Sequence, residues 1–599
     1  MRQFEYLSNR DFMQQDAGQI SLNGNIWQRQ EPDEGECSRL ADAYGLPHIL
    51  ASMLCARGVA FDDVENFLYP KLQKLMPDPY VLKDMQKAAE RMAQAVQRGQ
   101  KVAIIGDYDV DGATSTSILT RFLRQVNINP IIHIPSREEG YGPSDLAFAE
   151  FKKSGADLVI TIDCGTTAFD VLNRAATEFD IIVIDHHEAE VILPKVYAVV
   201  NPKRLDEENP YKYLEYMSAV GVGFMFLVAV NRLLREQGFY KNKTEPELMR
   251  LLDLVALGTV CDVVPLLGLN RAYVKQGLKV MAAQQNMGLK YLMKELKFSG
   301  APTTYHLGFV LGPRINACGR VGDASLGSKL LCSENEVEAQ ELAQKFDTLN
   351  TDRKEIEKHV FLAAMEQVES KTQEYPMIFV YGKDWHQGVI GIVAGKLKER
   401  YHAPAFVMSI EEDEVKGSAR SIEGLDLGAL IISAKEKGLI SGGGGHIMAA
   451  GFSLKEEQIP AFRQFVGEYV VSNIGNEKIV PQLPIDYTVS LNAVNIDLSE
   501  QLNLLEPYGS GNAEPIICVK DVSISWPQII GSGHIKCTLV SALGAKVSAI
   551  AFRAVDSNLG NALLNSRGEV CDVVGHLKAD DWQGRKRVQF IILDMMRKQ

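Results

Sequence analysis

The sequence predicts a multidomain α/β chain: a parallel-sheet domain, a long connecting helix, a small α/β domain and a C-terminal all-β barrel. Three observations carry that prediction. Between residues 101 and 202, short β-branched runs that end in Asp or His alternate with helix-length segments. A charged stretch without Gly or Pro follows at 334–368, with apolar residues at helical spacing. Residues 475–599 are short β-rich runs separated by turn signals.

Taken in order, residues 1–66 form an N-terminal segment without a clear pattern. The parallel-sheet domain is placed at 67–332. Prolines at 70, 77 and 79 precede an amphipathic helix over 82–98, which Gly99 stops. The strands are KVAIIGDYD (101–109), PIIHIP (130–135), DLVITIDCG (157–165), DIIVIDHHE (180–188) and YAVVNP (197–202). Near-continuous apolar strands of this kind belong to a parallel sheet covered on both faces. In such sheets functional groups gather beyond the C-terminal strand ends. The apolar run at 219–230 is too short for the roughly 18–20 residues that span a bilayer, so it reads as a buried helix. The connecting helix is assigned to 333–370. The second α/β domain, 371–473, opens with MIFVYGKDWHQGVIGIVAGKLKER as strand, loop and helix. The barrel takes 474–599.

Composition narrows the function classes. The 599 residues carry 63 Lys+Arg against 76 Asp+Glu, a formal charge of −13, with 46% hydrophobic residues. That balance excludes a disordered chain and a protein that coats nucleic acid by bulk positive charge. A local basic track, or bound cations, stays open. The nine cysteines form no C-x-x-C pair, and MRQFEYLSNRDFMQQ lacks the apolar core of a secretory signal. A cytoplasmic protein without membrane contact is expected.

The most informative stretch is GDYDVDG (106–112), directly after a strand. Asp107, Asp109 and Asp111 converge on one point if the chain turns there from strand to helix. Three uncompensated carboxylates repel strongly, so hard divalent cations are their natural partner. An Asp-rich turn with a helix cap is the competing reading for this motif alone. Other segments shift the balance: Asp163 ends one strand, Asp185, His186 and His187 end the next, and Asp262 sits in the apolar ALGTVCDVVPL. Mixed Asp/His ligation suits Mn²⁺ or a similar ion better than Ca²⁺, and Cys-poor ligation argues against structural zinc. Two such ions about 3.5–4 Å apart activate water and stabilise charge in phosphoester hydrolysis. The residues alone therefore point to a metal-dependent hydrolase.

GDYDVDG, the Asp163 strand, DHH at 185–187 and GTVCDVVPL resemble the successive motifs of the DHH phosphoesterase superfamily. IPSREEGYG (134–142), LGPRINACGRVGDA (311–324), WHQGVIGIVAGKL (385–397), GSARSIEGLDL (417–427), GGGGHIMAAGF (442–452) and EPYGSGNAEP (506–515) resemble its RecJ-type branch of bacterial single-strand exonucleases. The likeness runs from about residue 67 onward. It implies a DHH domain, a connecting helix, a DHHA1 domain and an oligonucleotide-binding (OB) barrel. It also implies 5′→3′ hydrolysis of single-stranded DNA to 5′-mononucleotides with Mn²⁺ or Mg²⁺, through two ions, in recombination and repair. By the same resemblance Asp107, Asp109, Asp111, Asp163, His186, His187 and Asp262 hold metal, and Asp109, Asp111, Asp163 and His187 are catalytic. Asp185 is placed behind them, orienting a histidine. Cys261 and Cys318 depart from the family's small residues, but each lies beside a motif residue.

Arg314, Arg320 and Arg420 sit in Gly- or Ser-containing loops, where a guanidinium can fork onto phosphate; interdomain salt bridges are the alternative. The run 442–445, with Gly444 at its centre, is either a flexible linker or a backbone phosphate nest, and the resemblance favours the nest. Asn316, Ser421 and His446 join the expected DNA-binding set. The expected partners are single-stranded DNA and, by family likeness, single-stranded DNA-binding protein and a repair helicase. Two other functions stay in view: a hydrolase of small phosphoesters using the same metal site, and an inactive DNA-binding scaffold. The long chain and extra barrel disfavour the first, and the full set of Asp and His disfavours the second.

Overall fold

The computed structural model describes residues 13–137, 139–298, 300–370, 374–476, 480–566, 568–582 and 585–598. Residues 1–12 of the N-terminal segment lie outside that set. The described part of this segment is an antiparallel hairpin, β1 (Met13–Ile20) and β2 (Ile26–Gln30), then helices Glu34–Tyr44 and His48–Ala56.

The next sheet is five-stranded and wholly parallel, built from β3 (Val102–Ile105), β4 (Ile131–His133), β5 (Leu158–Ile162), β6 (Asp180–Ile184) and β7 (Ala198–Val200). Its order is β4-β3-β5-β6-β7, so the chain leaves β3 to one side and returns to the other. The switch point thus falls between β3 and β5. Alternate residues feed two cores. Ile104, Ile160 and Ile182 pack with helices Met85–Arg98, Val110–Gln125 and Ala219–Glu236. Ala103, Val159 and Ile181 pack with Phe148 and Phe151 on the opposite face. Each isoleucine buried in this way contributes roughly 1.5–3 kcal/mol. The apolar run at 219–230 lies inside the buried helix Ala219–Glu236, and among the described residues no helix is long and apolar enough to cross a membrane.

Helix Glu336–Ser370 links the two α/β units. Its Leu342 and Phe346 belong to the core beneath the parallel sheet, whereas Val360, Ala364 and Val368 pack into the next domain. That domain carries β8 (Ile378–Lys383), β9 (Ala405–Glu411), β10 (Glu414–Arg420), β11 (Gly442–His446) and β12 (Ala449–Lys455), in the order β11-β12-β10-β9-β8.

The last sheet holds β14 (Tyr487–Val489), β15 (Ile517–Ile530), β16 (His534–Ser541), β17 (Lys546–Ala551), β18 (Val570–Trp582) and β19 (Arg585–Arg597). β15 pairs with both β16 and β18, and β17 with β19, which closes the expected barrel. Just before it, β13 (Gln482–Ile485) pairs in parallel with β2. Leu50, Met53 and Leu54 of the N-terminal segment share the barrel's core. Trp27 Nε1 donates to Asp594 Oδ2 at 3.2 Å, and Arg57 pairs with Asp486 at 3.1 Å.

The barrel is tied to the parallel-sheet domain by the buried Arg271, whose guanidinium donates to the carbonyls of Phe67, Leu505, Glu506 and Pro507. Leu266 N donates to Ser510 O at 2.8 Å across the same seam. Gly509 allows this approach, since a Cβ there would lie 2.6 Å from Leu266 Cδ1.

Candidate active site

The C-terminal ends of β3, β5 and β6 open onto one cavity. After β3 the chain turns through Asp107 and Tyr108 into helix Val110–Gln125, capped by Asp109, whose Oδ1 accepts from Gly112 N at 3.0 Å. Gly112 is required here: a Cβ would lie 2.4 Å from Asp107 O. Asp111, on the first turn, is fully buried, with its carboxylate accepting from Ala219 N at 2.6 Å and Val220 N at 3.0 Å. The N-terminal end of helix Ala219–Glu236 thereby holds a carboxylate in place.

Asp163 follows β5 with φ of 64°, a left-handed conformation that a short acidic side chain tolerates. His186 follows β6. Its Nε2 stands 3.3 Å from Asp163 Oδ1, 3.5 Å from Asp262 Oδ2 and 3.9 Å from Asp111 Oδ2. Asp262 arrives from the end of helix Leu252–Cys261, and the next residue, Val263, has φ of 61°, a strained value for a β-branched side chain. Three overlapping groups (Asp163, His186 and His187; Asp111, His186 and Asp262; Asp107, Asp109 and Asp163) each bring three ligand atoms within 4.8 Å of one another.

Asp185 is set behind this group. It is buried and accepts from Thr166 N at 3.0 Å, from His186 N at 2.8 Å and from His187 Nδ1 at 2.8 Å. That contact leaves His187 Nε2 as the nitrogen available to a ligand. Tyr141, whose hydroxyl donates to Asp163 O at 2.9 Å, meets the His187 ring edge-on.

The electrostatics describe a site short of positive charge. Burial, then the neighbouring carboxylates, pushes Asp107, Asp163 and Asp262 well above the usual carboxylate range and Asp111 up to about 7. Burial, then His187, pulls His186 down to about 3. Asp185 behaves oppositely: burial works to raise it, but the His187 contact prevails and holds it low. Asp107 Oδ1, Asp262 Oδ2 and His186 Nε2 are buried without a hydrogen-bond partner. Orphaned acceptors are costly in a dry protein. A hard divalent cation satisfies them, and the oxygen and imidazole donors fit Mn²⁺ or Mg²⁺.

A cationic group faces this cluster. Arg320 is brought down to about 10 by burial and by Arg137, Arg353 and Arg420, while Asp109 works in the other direction. Arg137 lies over the Tyr108 ring at 4.3 Å and donates to Gly319 O. Arg320 Nη1 donates to Gly388 O at 2.9 Å, at the start of helix Gln387–Tyr401. Arg420, at the end of β10, donates to Ser418 Oγ and stands close to Gly391 of that helix. Arg137, Tyr108 and Tyr141 were not singled out in the sequence. Tyr108 lies inside GDYDVDG, and Arg137 and Tyr141 lie inside IPSREEGYG, a motif with a cation and an aromatic beside glycines.

The other expected DNA-binding residues fare differently. Arg314 is engaged in an ion pair with Asp347 of the linking helix, at 2.9 Å, and donates to Val310 O. Asn316 is half-buried on the same helix as Arg320. The Ser421 hydroxyl is buried and turned inward, donating to Leu425 O at 2.6 Å. The glycine run corrects the expectation of a phosphate nest: residues 442–445 are strand β11, in extended conformation at a sheet edge, with Gly444 opposite Gly451. Glycine is needed there for close packing, because a Cβ on Gly445 would lie 2.5 Å from Ala449 O. Gly444 and His446 remain exposed.

Comparison with known proteins agrees with this geometry. Residues 101–259 match the DHH family N-terminal domain, 374–472 the DHHA1 domain and 485–594 the RecJ OB domain. The chain is 33% identical over 579 residues to the single-stranded-DNA-specific exonuclease RecJ of Bacillus subtilis (strain 168), covering 95% of this chain and 70% of that one. It is 32% identical over 564 residues to the protein of the same name from Escherichia coli (strain K12), covering 91% and 95%. The crystal structure of Thermus thermophilus RecJ in complex with Mn²⁺ superposes with a TM-score of 0.78 at 27% identity, over 95% of this chain and 78% of that one. The Mg²⁺ complex from the same organism gives 0.71 at 26%, over 95% and 77%. A parallel sheet with acid-rich strand ends, a linking helix, a second α/β unit and a closed barrel, in that order and at that identity, place this chain in the RecJ family of the DHH superfamily.

Proposed function

We propose that this chain is a divalent-metal-dependent exonuclease that degrades single-stranded DNA from its 5′ end and releases 5′-mononucleotides. The observation that carries this is the close opposition of an undercompensated Asp/His cluster and a cationic group made of Arg137, Arg320 and Arg420. Asp107, Asp109, Asp111, Asp163, His186, His187 and Asp262 are the residues that would hold Mn²⁺ or Mg²⁺. When bound, the ions supply an activated water and charge stabilisation at the phosphorus.

The chain's own groups do the positioning. Asp185 fixes the His187 ring through Nδ1. The guanidiniums of Arg137, Arg320 and Arg420 receive phosphate oxygens, which a planar fork suits better than an ammonium. Asn316, Gly444 and His446 complete the path along which the strand is held, with Arg314 and Ser421 shaping it through their contacts to Asp347 and Leu425. Catalytic duty falls to Asp109, Asp111, Asp163 and His187. We place the protein in the cytoplasm, in recombination and repair, with single-stranded DNA-binding protein and a helicase as suppliers of substrate.

The test is an end-labelled nuclease assay with Mn²⁺ titration. Mononucleotides should appear from the 5′ end of single strands, and Asp109→Ala should abolish them. Release from the 3′ end, or equal activity on duplex, contradicts the proposal.

A further inference from the structure

Residues His306–Leu311 form a π-helix that runs directly into helix Gly312–Val321, the element carrying Asn316 and Arg320. Such wide turns concentrate at functional sites. The segment is anchored beside the Asp/His cluster. The Cys261 thiol donates to Leu307 O at 3.4 Å, and a Cβ on Gly312 would lie 2.5 Å from Cys261 Sγ, one residue before Asp262. At the far end, a Cβ on Gly319 would lie 2.4 Å from Tyr108 O, inside the aspartate motif. One continuous helical rod therefore borders the candidate active site from Asp262 to Tyr108.

On the outer end of this rod, Tyr305 and Phe309 stack with ring centroids 5.3 Å apart and planes 25° from parallel. They are 60% and 73% exposed. Two large rings ordered against each other in water forgo the burial that draws aromatic side chains inside. The pair is braced from below: His306 meets Phe298 edge-on at 4.5 Å and accepts from Thr303 N at 3.1 Å. No function assigned above uses it.

We infer that Tyr305 and Phe309 are a stacking platform for bases of the single strand that crosses the metal centre, an inference that rests on the exonuclease reading above. Every base has a π-face, so stacking holds a strand without reading its sequence. A nuclease that must advance through any sequence needs that kind of grip. Ten residues separate Phe309 from Gly319, about 15 Å of helix, so the platform meets bases a few nucleotides away from the cleaved bond.

The test uses the full chain with Mn²⁺ and a single-stranded 20-nucleotide DNA. The double variant Tyr305→Ala/Phe309→Ala should raise KM about ten- to a hundredfold, with kcat falling less than KM rises, whereas Tyr305→Phe and Phe309→Tyr should keep the wild-type KM. An abasic residue moved along the DNA should raise the wild-type KM at one or two positions, and the double variant should be insensitive to those positions. The inference is overturned if KM stays within twofold of wild type, or if the alanine and abasic effects multiply independently at every position. A loss in kcat and KM alike, not rescued by the Tyr/Phe exchanges, overturns it too and assigns the pair to folding. A wild-type protein inactive on single-stranded DNA brings down the exonuclease reading and this one together, while an active wild type without coupling brings down only this one.

Discussion

Asp185 and His187, two residues apart in sequence, meet at 2.8 Å between Oδ1 and Nδ1, and this contact decides which imidazole nitrogen faces the cluster. Asp185→Asn removes the charge while keeping the shape. Because partners behind metal-ligating histidines are worth about 10–100-fold in affinity or activity, the variant should need a correspondingly higher Mn²⁺ concentration for half-maximal nuclease activity. Unchanged metal dependence would show that His187 is oriented by Tyr141 alone.

Arg320 is half-buried among Arg137, Arg353 and Arg420, with Asp109 as its opposing charge, so a phosphate beside it would relieve the remaining repulsion. Arg320→Ala should raise KM for single-stranded DNA and flatten its dependence on salt, the log–log slope shrinking by about 0.7 for each lost phosphate contact. Arg320→Lys should recover little, since an ammonium cannot fork. A slope equal to that of wild type would remove Arg320 from phosphate binding.

Gly319→Ala tests the contact between helix Gly312–Val321 and the aspartate motif. The new methyl would press on Tyr108 O, and overpacking of this kind costs about 1–3 kcal/mol. Because the strain enters beside Asp107 and Asp109, activity should fall more steeply than thermal stability. Equal losses, read by denaturation and by kcat, would argue that the contact is only structural.

Asp253, in helix Leu252–Cys261, is buried, and burial pushes its carboxyl up to about 7. In the unfolded chain the same group ionises near 3.9. The unfolded state therefore releases its proton first, so this residue's contribution to stability is complete below about pH 4 and is lost as pH rises to about 7. Asp253→Asn should match wild type at pH 4 and melt a few degrees higher at pH 7 and above. A melting difference that does not change with pH would refute the assignment.

Arg271→Ala strips hydrogen bonds from the carbonyls of Phe67, Leu505, Glu506 and Pro507 at the seam between barrel and parallel-sheet domain. Orphaning several buried acceptors should destabilise the protein by about 3–5 kcal/mol. Chemical denaturation measures this, and Arg271→Lys should not restore it.

The sequence announced what depends on local pattern. Asp107, Asp163 and Asp185 each follow a β-branched run, and a parallel sheet must line up such strand ends, so their convergence is legible in the sequence. Arg137 was missed because its role comes from standing over Tyr108 and beside Arg320, more than 180 residues later, which no periodicity encodes. The glycine run at 442–445 misled for a related reason: Gly443 and Gly445, which relieve crowding between strands, look the same in sequence as glycines that bend a loop. The N-terminal segment stayed unread because the strand that completes its sheet, β13, comes some 450 residues further on.

That pairing of β2 with β13 has a consequence for synthesis. The hairpin, together with Trp27 and its acceptor Asp594, cannot reach its final state until nearly the whole polypeptide has left the ribosome. The parallel-sheet domain, whose core closes with Leu342 and Phe346 of the linking helix, can settle while translation continues. The free edge of β2 and the Trp27 side chain must meanwhile wait for partners that arrive last. The order of assembly is therefore middle first and ends together, so that trimming either terminus dismantles the same unit.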